Sequence, residues 1–119
     1  MNGRDSLGQF EQLVLTAVLT LPDRAYGVSI HAKVEQLAAP KSASLGAVYV
    51  TLDRLEDKGL ITSWLSDPTP ERGGRAKRCY RLESGGTRAL QEASVKAKRM
   101  CDAVEGVWGT RIWKPARHY

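Results

Sequence analysis

The chain has 119 residues, 42% of them hydrophobic and 26% charged, and carries a net charge of +5. That is one domain's worth of chain with enough apolar residues for a modest core, which excludes global disorder. No apolar run nears the roughly 20 residues that span a bilayer, and Cys79 and Cys101 are too few for a disulfide framework.

The opening MNGRDSLGQF has no apolar stretch after a basic start, so the expectation is a cytoplasmic protein with reduced thiols. Phe10, Leu13, Val14, Ala17, Val18 and Leu21 recur at helical spacing and predict a helix over 7–21. Ser6 and Gln9 form a candidate capping box at its start, and Pro22 stops it. Tyr26, Ile30, Val34 and Leu37 predict a second helix over 26–38, closed by Pro40. A third begins at Ser44, a good N-cap, with Leu45, Val48, Tyr49, Leu52 and Leu55 as its buried stripe and Gly59 just past its end. Gly46, Ala47, Val50, Thr51, Asp53, Arg54, Asp57 and Lys58 are left to face outward. The small, uncharged first turn lets another surface come close.

After Gly59 the period changes. Residues 60–65 and 77–82 read as strands, with Arg78, Tyr80 and Leu82 on one face. Between them lies a long loop, and the stretch running from it into the second strand, D-P-T-P-E-R-G-G-R-A-K-R-C-Y-R (67–81), crowds Arg and Lys into its back half. Residues 1–66 are close to neutral, so the positive excess begins in this loop and continues to the C-terminus. Such a stripe attracts polyanions, nucleic acid above all; on charge alone a solvated surface explains it equally well.

The last predicted helix covers 84–108. Leu90, Ala97 and Val104 fall seven apart, and Ala93, Met100 and Val107 form the matching set, a heptad seam. About 25 residues extend roughly 38 Å, more than a three-helix core can cover. The uncovered part calls for a partner, most simply a second copy of the chain; docking on its own chain is the alternative.

The fold class is therefore mainly α with a small β-hairpin: a winged helix-turn-helix over 1–83, then a long C-terminal dimerisation helix and tail over 84–119. In that arrangement the third helix can enter a DNA major groove while the hairpin tip lies along the adjacent backbone. Glycines let the tip approach, and Arg and Lys neutralise phosphates.

The segments S-L-G-A-V-Y-V-T-L-D-R-L-E-D-K-G-L-I (44–61), A-Y-G-V-S-I (25–30) and G-G-R-A-K-R-C-Y-R-L (73–82) together resemble the PadR family of bacterial transcriptional regulators. The single long terminal helix is similar to that of the short subgroup, where it builds a homodimer. Two positions depart from the family pattern: Val50 stands where proline often follows the helix-three tyrosine, and Cys79 replaces one of a wing tyrosine pair. The resemblance implies that Ser44, Gly46, Ala47, Thr51 and Arg54 face double-stranded DNA. For Tyr49 it leaves two readings, a hydroxyl reaching phosphate or a ring buried under the helix. In the wing it implies phosphate contacts from Arg72, Arg75, Lys77 and Arg78, of which Arg75 and Lys77 border the Gly73-Gly74 tip. Arg78 can instead pack its stem beside Tyr80 and Leu82. Tyr26 is expected in the core, with Gly27 permitting close packing.

The seam adds Leu90, Ala93, Ala97, Met100, Val104, Val107 and Trp108 as dimer-interface residues. Trp108 is also a candidate stacking site for a small aromatic effector, and Trp113 lies nearby in sequence. The short subgroup stacks such effectors on tryptophan in the dimer-interface space, but the middle of this helix carries Ala97 instead, so that mode does not transfer directly. His31 and His118 are isolated, neither cysteine has ligand spacing, and no catalytic motif occurs, so no metal, cofactor, membrane partner or enzymatic activity is expected. The function implied is a homodimeric repressor on a pseudo-palindromic operator. Two rivals are a winged-helix protein-interaction module and an aromatic-ligand sensor, neither binding DNA.

Overall fold

Helix α1 (Gln9–Leu19) is shorter at both ends than its apolar pattern. It starts where the Gly8 N–H donates to Glu11 Oε1 at 3.0 Å, half of a capping box; Ser6, the expected cap, lies outside the described residues. Leu7 and Leu21 pack on the core from outside the helix, which is why the pattern overran it. The computed structural model describes residues 7–66 and 76–109. Past α1 the chain turns through Pro22 and Asp23. The Arg24 N–H donates to the Leu21 carbonyl at 3.0 Å, and Asp23 has φ 68°. Proline second and a left-handed residue third is the type II pattern.

Ala25 and Tyr26 then run extended beside the later hairpin: the Tyr80 N–H donates to the Ala25 carbonyl at 2.8 Å, and Tyr26 pairs with Cys79. So short a pairing has no alternation for the sequence pattern to reveal. Helix α2 (Gly27–Ala38) follows, with the Tyr26 N–H held by Ser29 Oγ at 3.0 Å. Helix α3 (Leu45–Asp57) is capped as its sequence predicts, the Ala47 N–H donating to Ser44 Oγ at 3.0 Å. At its other end Gly59 takes φ 77°, and the Leu60 and Gly59 N–H groups reach back to the carbonyls of Leu55 and Glu56 at 3.0 and 2.9 Å. This is the Schellman closure, and its left-handed residue favours glycine.

Strands β1 (Ile61–Leu65) and β2 (Arg78–Leu82) pair antiparallel, from Ile61 opposite Leu82 to Leu65 opposite Arg78. Ser66 and Lys77 extend the ladder, the Ser66 N–H donating to the Lys77 carbonyl at 2.7 Å. Helix α4 (Ser84–Trp108) covers the predicted span. Val14 and Leu15 of α1, Ile30 and Val34 of α2, and Val48, Leu52 and Leu55 of α3 meet Ile61 in one core, closed by Tyr80. Burying each such aliphatic side chain contributes about 1.5–3 kcal/mol. Only the beginning of α4 joins it, through Leu90 and the buried Gly86. The result is a winged helix with a long terminal helix.

One half-buried ion pair ties the start of α1 to the end of α3. Glu11 Oε2 accepts from Lys58 Nζ at 2.9 Å. Burial alone would raise the Glu11 carboxyl, but the Gly8 N–H and the Lys58 and Arg54 charges outweigh it and hold the group below its ordinary 4.5. The native state therefore favours the carboxylate. Its stabilisation is complete above pH 4.5 and is lost as pH falls through the lower native value. Lys58→Met should cost about 1–3 kcal/mol at pH 7, and the difference from wild type should shrink steadily below pH 4.5 in urea titrations.

Candidate nucleic-acid interface

The exposed side of α3 is made by Ser44, Leu45, Gly46, Ala47, Tyr49, Val50, Asp53 and Arg54. Ser44, Gly46, Ala47 and Arg54 thus stand where the sequence placed them. Thr51 does not: it is 4% exposed and belongs to the core stripe with Val48, Leu52 and Leu55. It lies three residues after Val48 and four before Leu55, and helical geometry puts all three on one side. Assigning Tyr49 to the core had shifted the stripe. Val50, 57% exposed, takes the place on the outer face that Thr51 was expected to hold. The sequence periodicity already places Val50 on the outer side, although the family resemblance does not include it among the DNA-facing residues.

Tyr49 follows neither of its two readings fully. It is 41% exposed, yet its ring and hydroxyl lie directly on Gly27, in the space a Cβ there would need. Gly27 thus permits the close packing expected of it, with Tyr49 as the group that comes close. Tyr26 is only half-buried. His31, isolated in sequence, is not isolated in space: its Nε2 lies 2.7 Å from the Ala43 carbonyl oxygen.

Beside α3 stands the base of the hairpin. Arg78 is exposed, and its Nη1 donates to Ser63 Oγ at 3.0 Å; Ser63 Oγ in turn donates to Glu56 Oε2 at 2.8 Å. The guanidinium is thereby held from both strands and from α3, a tether between residues 22 positions apart in sequence (78 − 56) that no motif announces. Beneath it the Tyr80 hydroxyl is pushed up by burial and by the Asp53 and Glu56 carboxylates, against the Arg78 charge. Lys77 places its Nζ 3.8 Å from the centre of the Tyr26 ring, a cation–π contact. On the same side of the sheet Arg81 lies 5.4 Å from the Trp64 ring. Arg72, Gly73, Gly74 and Arg75 lie outside the described residues.

Along α4 the heptad positions divide. Leu90 and Ala93 are half-buried, whereas Ala97, Met100, Val104, Val107 and Trp108 are exposed, Val107 by 80%. A groove of about 360 Å³ opens between α1 and α4, lined by Leu19, Leu82, Leu90 and four polar residues. It is continuous with the exposed seam at Leu90. Trp113 and His118 lie outside the described residues. Among those residues no cluster of His, Cys, Asp and Glu could hold a metal ion, and no helix is long and apolar enough to cross a membrane. Cys79 is buried and Cys101 exposed.

Comparison with known proteins bears on what this arrangement is. A PadR family transcription regulator from Clostridium difficile is 27% identical, with a TM-score of 0.63 over 85% of this chain and 98% of its own. A PadR family regulator from Eggerthella lenta is 25% identical, with a TM-score of 0.64 over 87% of this chain and 84% of its own. Bacillus subtilis PadR, solved in complex with operator DNA, shares the fold at 21% identity, with a TM-score of 0.59 over 73% of this chain and 47% of its own. No curated protein sequence matches significantly. Residues 15–92, from α1 through the hairpin and into α4, match the transcriptional regulator PadR-like family, and the chain belongs to that family.

Proposed function

We propose that the protein is a homodimeric, sequence-specific DNA-binding repressor in which residues 1–83 read DNA and residues 84–119 pair the protomers. The observation that carries this reading is the juxtaposition of a bare helix face with a tethered arginine. Gly46, Ala47 and Val50 leave the outer side of α3 low enough to approach base edges, and Arg78 stands beside it, fixed through Ser63 to Glu56. The operator complex of the similar Bacillus subtilis protein supports the same use of the fold. Ser44, Gly46, Ala47, Val50 and Arg54 would meet base edges and the groove wall, and the Val50 methyls suit a thymine methyl. Arg72, Arg75 and Arg78 would neutralise phosphates, while Lys77, engaged by Tyr26, would steady the base of the wing.

The exposed α4 seam, continuous with the α1–α4 groove, supports pairing with a second copy, and we assign Trp108 to that seam. A two-fold dimer would set its two α3 helices into major-groove faces about 10 bp apart on a pseudo-palindromic site. Occupancy would exclude polymerase. Footprinting on the promoter upstream of its own gene, repeated across salt concentrations, tests this. Six arginine–phosphate contacts per dimer predict a log–log slope of roughly −5. Affinity that ignores salt would sink the assignment of the wing.

A further inference from the structure

Gly27, His31 and Glu35 follow one another at four-residue intervals along α2, and so form one line down its side. All three meet the segment that opens α3. The Tyr49 ring lies on Gly27. His31 Nε2 is 2.7 Å from the Ala43 carbonyl oxygen; a carbonyl only accepts, so the imidazole must carry a proton on Nε2 and donate it. Glu35 Oε2 accepts the Ala43 N–H at 3.0 Å and stands 3.7 Å from His31 Nε2. Both main-chain polar groups of Ala43 are therefore taken by side chains of the preceding helix. The next residue is Ser44, which caps α3.

The connection between two helices usually satisfies its backbone from water or from its own side chains. Ala43 is half-buried against the core, where unpaired backbone groups are costly. Two hydrogen bonds converging on one residue fix its orientation as well as its place, so the start of α3 can neither slide along α2 nor roll on it. That constraint matters unequally for the two kinds of DNA contact. Base readout needs side chains held within about 0.5 Å, whereas long arginine side chains reach phosphates from a range of backbone positions.

We propose that His31 and Glu35 are positioning residues for base readout: by holding Ala43 they fix the register in which α3 meets the bases, and so set sequence preference rather than general DNA affinity. This rests on the DNA-reading role of α3 proposed above, and the test separates the two.

The wild-type protein is first used to enrich a sequence from a pool of random duplexes. Dissociation constants are then measured for that sequence and for a shuffled duplex, with wild type, His31→Ala, Glu35→Ala and His31→Gln. The expected result is a loss of about tenfold in the specific-to-shuffled ratio for each alanine variant, the effect of losing one charged or near-charged hydrogen bond. Binding of the shuffled duplex and its salt slope should stay as in wild type. His31→Gln, whose amide can donate to the same carbonyl, should recover most of the ratio. Without DNA, the Ala43 amide of Glu35→Ala should exchange with solvent at least about tenfold faster, while the Leu52 and Leu55 amides keep their protection. That reading stands even for a variant with weakened packing. An unchanged ratio, an equal loss on both duplexes, or an unchanged Ala43 exchange rate would overturn the positioning role. A wild-type protein that enriches no sequence would instead overturn the DNA-reading role of α3, and this inference with it.

Discussion

Replacing Met100 and Val104 together with glutamate should give a protein that sediments near the 13.1 kDa of one chain and binds its operator at least about 100-fold more weakly. The size of the effect follows from linkage. A dimer that has placed one α3 presents the second to its half-site at an effective concentration near millimolar, and the monomer loses that advantage entirely. The folded monomer itself should be little affected. Met100 is 58% exposed and Val104 sits on the same uncovered stretch, so the carboxylates enter water in the free chain. In a paired seam the same groups meet apolar neighbours and each other's charge. Circular dichroism and the urea midpoint of the winged-helix body should therefore match wild type. A dimer that survives the double substitution would place the interface somewhere other than the heptad seam.

What the sequence made legible was mostly local. Ser44 and Gly59 could be recognised as the two ends of α3 because capping depends on residues within a few positions of the end. The extent of α4 was legible for the same kind of reason, since its apolar heptads run on without a proline to interrupt them. Thr51 and Tyr49 show where local pattern fails. Tyrosine is large enough to count as core and threonine polar enough to count as surface, so the stripe was phased one step away from the packing that formed. In space, the tyrosine has Gly27 to lie on and the threonine has only the core.

The contacts that hold the candidate site in place were the least legible. Glu11 and Lys58 are 47 residues apart, and only the meeting of α1 with the end of α3 brings them within 2.9 Å. Arg78 gains its tether through Ser63, an ordinary strand residue until Glu56 is seen across from it. His31 and Glu35 bind a main-chain target, and a side-chain motif cannot encode which carbonyl will stand opposite. In the sequence Lys77 stands out for its proximity to Gly73 and Gly74, but its partner is Tyr26, which the short Tyr26–Cys79 pairing brings alongside. Composition identified the basic region; topology decided which of its charges are held.

The second large effect is expected at Gly86, where α4 leaves the winged-helix body. A Cβ built there would run into the Leu60 carbonyl oxygen and lie 3.1 Å from its carbon. That carbonyl cannot retreat freely, because it also accepts the Glu83 N–H at 2.9 Å and follows directly on the Gly59 closure of α3. Gly86→Ala should therefore destabilise the protein by about 2 kcal/mol, within the usual range for overpacking a tight contact. Gly85, its neighbour, is the control: a Cβ there meets Leu60 Cδ2 at 3.5 Å, an ordinary contact. Gly85→Ala should be neutral or stabilise by up to about 1 kcal/mol, since alanine is the better helix former. Thermal and urea unfolding of the two variants side by side would measure the difference, and equal behaviour would mean that α4 does not press on Leu60. The consequence reaches DNA binding as well. Leu60 joins α3 to β1, so in the proposed dimer a displaced α4 would change the angle at which the partner protomer carries its own α3. In the dimer proposed above, Gly86→Ala should weaken binding to the natural half-site spacing more than binding to a single half-site, a comparison that separates altered geometry from lost stability.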